Sequence, residues 1–207
     1  MTETSSTSFP GTGSGSSRAA TVGTLTMTAG ALFVLGPLVS IASEWAWLGL
    51  LAGLALLAYV VPQIHRLQAP ADGWAGTSGS LLVATGAALV VALAVVFLLW
   101  EAVGDPGEPA WAGVLWLIGF LSFLVGIVLF GIGTALARSF PPAAPLLMLG
   151  GLVAALLVDM VTGAFFEEEP TTTEWGFFIG LPLFGLGLCW MGYALRSRFS
   201  ARSSTAP

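Results

Sequence analysis

Long apolar runs separated by short polar connectors set the pattern of this chain. Six runs stand out, at residues 20–41, 45–64, 80–102, 111–137, 145–166 and 175–195. A helix rises about 1.5 Å per residue, so each run is long enough to cross about 30 Å of hydrocarbon. The connectors SIASE, HRLQAPADGWAGTSG, EAVGDPGEPA, RSFPPAA and EEEPTTTE hold the turn and charge signals. Barrel strands would be about half as long and would alternate polar with apolar residues, whereas a helix satisfies the backbone of such a run inside lipid. The pattern therefore predicts an all-α fold, a polytopic bundle of six transmembrane helices. Residues 1–18 are small, polar and turn-prone, and are expected to form a disordered tail because they bury too little apolar surface to offset the entropy of ordering. They do not read as a secretory signal, which opens on a basic stretch and ends at a small-residue cleavage site. The transmembrane domain is expected over 19–197, with a second tail over 198–207.

Composition sharpens the membrane reading. The chain is 56% hydrophobic and 8% charged, with a mean hydropathy of +0.92, where a soluble domain carries about 25% charged residues. Six spans use up most of the 207 residues, which leaves no room for a separate soluble catalytic domain. The single cysteine, Cys189, cannot close an internal disulfide. The single histidine, His65, cannot supply the paired imidazoles of a b-type haem or a His-rich zinc site, so no cofactor is expected. Lys and Asn do not occur, while Ala, Gly, Leu and Val abound, a usage expected of a GC-rich prokaryotic genome.

The net charge of -5 matters less than where the charges fall. With six spans, Arg18, Arg66, Arg138, Arg196, Arg198 and Arg202 all lie on one side, and the positive-inside rule makes that side cytoplasmic. Both termini are then cytoplasmic, and the expected location is the plasma membrane. The opposite loops collect Glu44, Glu101, Asp105, Glu108, Glu167, Glu168, Glu169 and Glu174, with Trp45, Trp47, Trp100, Trp111 and Trp175 as an aromatic belt.

A faint internal echo suggests three helical hairpins. TAGAL at Thr28, TGAAL at Thr85 and LGGLV at Leu149 open the odd helices alike, and the even helices each end in arginine, at Arg66, Arg138 and Arg196; GTALARSF from Gly133 also resembles GYALRSRF from Gly192, with Gly126 and Gly185 matching upstream. Shared membrane composition explains the same likeness without a repeat. Gly49 with Gly53, Gly150 with Ala154, and Gly151 with Ala155 form small-xxx-small pairs suited to close helix packing.

Candidate chemistry centres on Asp159, the one acid inside a span. A carboxylate there costs about 2.5–3.5 kcal/mol on insertion scales, so such residues face the bundle interior and often mark an ion or proton path. Ser122 lies at a comparable depth counted from the acidic rim. Pro182 and Pro37 each remove a backbone hydrogen bond, exposing the carbonyls of Phe178 and Phe33. Asp159, Ser122, Pro182 and Pro37 together make a candidate intramembrane polar site. The competing reading makes Asp159 packing glue between helices. His65 reads as an interfacial residue beside a topology-setting arginine, or as a pH sensor, since histidine changes charge near neutral pH.

No HExxH, phosphate-loop or GxSxG motif occurs, and Asp159 has no ionisable partner at its depth, so an enzyme is not expected. Two functions remain. The first is a non-enzymatic membrane protein serving partner binding, sensing or assembly, in contact with the bilayer and with other membrane proteins or copies of itself, and not with nucleic acid. The second is a small transporter or channel using Asp159 for a proton or cation. The low polarity of the spans favours the first, because a conducting path needs several buried polar groups. The topology is open to direct test: a reporter fused after Arg202 should be cytoplasmic and one inserted near Asp105 external. The reverse placement would overturn the arginine argument.

Overall fold

The computed structural model describes residues 12–40, 46–69, 71–104, 110–165 and 175–203. Six helices run through them: α1 Thr12–Ser40, α2 Ala46–Gln68, α3 Gly73–Val103, α4 Ala110–Ala137, α5 Ala143–Phe165 and α6 Trp175–Ser203, with no strand among the described residues. Five contain stretches long and apolar enough to cross a membrane, at Ser17–Val39, Trp47–Gln68, Gly73–Val103, Trp111–Ala137 and Phe178–Arg198. Among the described residues the apolar stretch of α5 is Ala143–Val158. Large side chains such as Leu117, Ile118, Leu121 and Val125 of α4 point outward. An outer surface so apolar suits lipid, since soluble proteins keep apolar patches small.

Several helix bounds differ from the sequence expectation. α1 starts at Thr12 and α6 runs to Ser203, so both helices reach into the segments read as tails. α3 starts at Gly73, seven residues before the expected Ser80, so GWAGTSG is helix rather than connector. Glycine and serine weaken an isolated helix, but tertiary packing overrides that preference here. Ala75, Gly76, Gly79 and Ser80 are all buried, and a Cβ on Gly79 would collide with the Phe130 backbone of α4. The true α2–α3 connection is the short turn after Gln68, closed by Ala69 N–H to His65 O at 2.8 Å and Ala71 N–H to Gln68 O at 2.8 Å. At the far end of α3, Gly104 takes φ +79° and donates its N–H to Glu101 O, the left-handed cap that glycine adopts without penalty.

The helices form a ring in chain order. Each packs on its sequence neighbours, and α1 closes the ring against α6. The closest pairs are α3 with α4, α1 with α6, and α5 with α6, while α4 and α5 touch least. Glycine explains the close pairs. Gly119, Gly126 and Gly133 recur every seven residues along α4, and an added Cβ would sit 2.5 Å from Val83 N at Gly126 and 2.6 Å from Gly76 N at Gly133. In α1, Gly23 and Gly30 are also seven apart and meet the backbone at Gly192 and Gly185 of α6. On another face of α6, Gly187 meets the Met148 backbone and Gly180 meets Ala155 of α5. A seven-residue repeat holds one seam along a partner helix, as in left-handed supercoils. Between the seams lies a core of Leu57, Ile64, Ile127, Phe130, Met148, Phe184 and Leu188, in which Phe33 and Phe184 pack edge to face at 5.2 Å.

The small-xxx-small pairs divide. Gly151 meets the Phe184 backbone and Gly53 the Phe33 ring, but Gly49 and Gly150 face open space. Gly126→Ala should therefore destabilise the protein by about 1–3 kcal/mol through overpacking. Gly150→Ala should be neutral or stabilising by up to about 1 kcal/mol, from helix propensity. Reversible unfolding in mixed micelles measures both, and equal effects would contradict the seam.

Candidate functional site

The residues singled out in the sequence fall in different parts of the ring. Pro37 is buried in α1, Pro182 is half-buried in α6, and Ser122 is half-buried in α4 beside Phe123, which packs on Gly86 of α3. In the α1–α6 seam Gly30 lies against Gly185 and Cys189, and Gly23 against Gly192. That antiparallel register brings Pro37 and Pro182 to similar heights. Asp159 belongs to α5, and its side chain lies outside the described residues. The α5–α6 register, with Gly151 on Phe184 and Gly180 on Ala155, carries the α5 backbone at Asp159 level with the start of α6. Pro182 is about seven residues further along α6, roughly 10 Å.

A more complete polar constellation sits at the other end of the ring, where α2 turns into α3. Asp72 precedes α3 in the position of an N-cap, with φ −86° and ψ −5°, yet its side chain makes no capping bond. One carboxylate oxygen, Oδ2, instead lies 2.6 Å from Nδ1 of His65 in the last turn of α2. Asp72 is only 2% exposed. The positive end of the α3 dipole favours a carboxylate here, and an imidazole N–H donates to it whether or not the ring is protonated. Gln68, the last residue of α2, is 5% exposed, and its Oε1 accepts from Thr134 Oγ1 of α4 at 3.4 Å. Two atoms of this cluster, Asp72 Oδ1 and Gln68 Nε2, are buried without a hydrogen-bond partner among the described residues. Leaving such atoms unpaired costs about 1–3 kcal/mol each, a common mark of a functional polar group.

Glycine makes room for the cluster. A Cβ on Gly76 would overlap the Asp72 carboxylate, and one on Gly133 would lie 3.1 Å from Asp72 O. Arginines surround it at the same end. Arg18 of α1 donates to Gln63 of α2 at 2.6 Å, and Arg198 of α6 donates to Ser139 O in the α4–α5 turn. Arg66 and Arg138 are exposed, and Arg138 adopts φ +50° as it leaves α4. The helix ends thus place Arg18, Arg66, Arg138, Arg196 and Arg198 at one end.

Sequence reasoning weighed His65 but placed Asp72 in a solvated connector. The usable signal was Asp-Gly at a helix start, seven residues after a histidine that ends a helix. No protein-family model, curated protein or solved structure matches the chain.

Gly76→Ala should displace the Asp72 carboxylate and destabilise the fold by about 1–3 kcal/mol. Thr77→Ala, exposed on the next position, should stay within about 0.5 kcal/mol. Chemical unfolding in detergent reports both. Equal losses would show that Gly76 serves helix packing in general and not the carboxylate.

Proposed function

We propose that this protein is a non-enzymatic, six-span integral protein of the plasma membrane, with both termini cytoplasmic, that senses conditions at its cytoplasmic face and passes them to membrane-protein partners or to copies of itself. The His65–Asp72 pair carries the reading. It is made of the one imidazole in the chain and a carboxylate that is 2% exposed, bonded at 2.6 Å across the α2–α3 turn. Through Gln68 and Thr134 the same cluster reaches α4. A protonation event at this point changes the charge between three helices at once, and a buried charge held by few partners is how proteins build pH switches.

At this end of the ring the other charged groups with described side chains are arginines: Arg18 on α1, Arg66 on α2, Arg138 after α4, and Arg196 and Arg198 on α6.

A single histidine gives an unambiguous spectroscopic probe. With the ring isotopically labelled and the protein in lipid nanodiscs, titration between about pH 5 and 8 should move the His65 signal together with the amides of Gly76 and Thr134. In Asp72→Asn the amide shifts should vanish while the ring still titrates. A ring that titrates without moving α3 or α4 in the native protein would reduce the pair to a local fastening and sink the sensing role.

A further inference from the structure

α6 leaves one face uncovered between its two neighbours. Gly185 and Gly192 turn toward α1, and Gly180 and Gly187 toward α5. Between those stripes Leu186, Trp190 and Tyr193 are exposed in steps of four and three residues, which places them on one helix face. They floor a groove of about 480 Å³ whose walls are Met27 of α1 and Leu147 of α5. A second groove, lined by Met27, Tyr193, Arg196 and Ser197, shares two of those residues and continues the first toward the arginine end. Leu186 and Arg196 are ten residues apart, roughly 15 Å along a helix, about half of a 30 Å hydrocarbon core.

We infer that this groove is a binding site for an anionic glycerophospholipid, with an acyl chain laid along Leu186, Trp190 and Tyr193 and the phosphate at Arg196. Three observations converge on that ligand. From Leu186 to Arg196 the groove has about the length of one leaflet, and its apolar part opens sideways, as an acyl chain entering from the bilayer requires. Tyr193, at the join, has the amphipathic ring that settles at headgroup level. Arg196 closes the polar end, and guanidinium meets phosphate with paired, charge-assisted hydrogen bonds. Its five N–H donors suffice for a phosphate alongside its contacts within the protein. Arg18, Arg66, Arg138 and Arg198 stand at the same end and add a field that draws negative headgroups. The site rests on the membrane setting of the helices with their arginine end at the headgroups, and not on the His65–Asp72 pair.

The test uses the full chain, stripped of lipid in a neutral detergent, then titrated with phosphatidylglycerol or with phosphatidylcholine of identical acyl chains while thermal unfolding is followed. A ligand of the native state raises the melting temperature with concentration. Phosphatidylglycerol should stabilise at lower concentration than phosphatidylcholine, and Arg196→Gln should weaken its apparent affinity about fivefold. Arg138→Gln, which removes the same charge from the same end but lines neither groove, should weaken that affinity much less. Leu186→Trp changes an exposed residue and fills the apolar part of the groove, so it should abolish the response to phosphatidylglycerol in a protein that still melts cooperatively. An equal response to both lipids, equal losses in Arg138→Gln and Arg196→Gln, or an undiminished response in Leu186→Trp would each overturn the proposal.

Discussion

Backbone-to-backbone approach at glycine is the constraint from which the rest of this structure follows. Inside lipid, an apolar side chain gains nothing by leaving the hydrocarbon for a protein interior, so helices associate through dispersion contacts at short range and a few polar ties. Short range requires small residues. The seven-residue spacing of Gly119, Gly126 and Gly133 on α4, and of Gly23 and Gly30 on α1, keeps successive contacts on one line, so two helices stay close over several turns. α6 carries two such lines on different faces, Gly180 with Gly187 and Gly185 with Gly192, and so holds α5 and α1 at once. The uncovered face that floors the α6 groove is what remains between them.

The polar end of the ring obeys the opposite logic. Where α2 turns into α3 the chain buries Asp72 against the half-buried His65, and Gln68 against Thr134. Each of these contacts is directional and worth more in a dry environment than in water, and each atom left without a partner is correspondingly costly. The two regimes meet at Gly76 and Gly133. Both lie in the α3–α4 seam, and both leave the volume that the Asp72 residue occupies. The same absent side chains therefore serve packing and electrostatics, which ties the geometry of the cluster to the distance between two helices.

Much of the fold was legible because hydropathy is a strong signal when the backbone has a single way to satisfy itself in lipid. The apolar runs predict helices in the right places, with ends off by a turn or two. The errors share a cause. Thr12–Ser17 and Gly73–Gly79 are rich in Gly, Ser and Thr, residues with weak intrinsic helicity, and nothing local in GWAGTSG announces that a second helix lies against it. The glycine pairs show the same limit from the other side. Spacing alone does not separate Gly151, which touches Phe184, from Gly150, which touches nothing, because the face a helix turns inward depends on partners far away in sequence. The polar cluster was illegible for that reason also. Asp72 is a loop acid by composition and becomes a buried one only because Gly76 and Gly133 let α3 and α4 close over it. Asp159 had every mark that sequence can give, yet its side chain lies outside the described residues.

The order in which the ring closes bears on how the protein is made. The principal partner of α1 is α6, and Met27 and Cys189, which meet across this seam, are 162 residues apart in the chain. During synthesis α1 is therefore made well before the helix that covers its glycine line. Contacts of such long sequence separation form late and leave exposed surfaces open to wrong partners in the interval. A chain that stops before α6 leaves both α1 and α5 without the helix each packs against most.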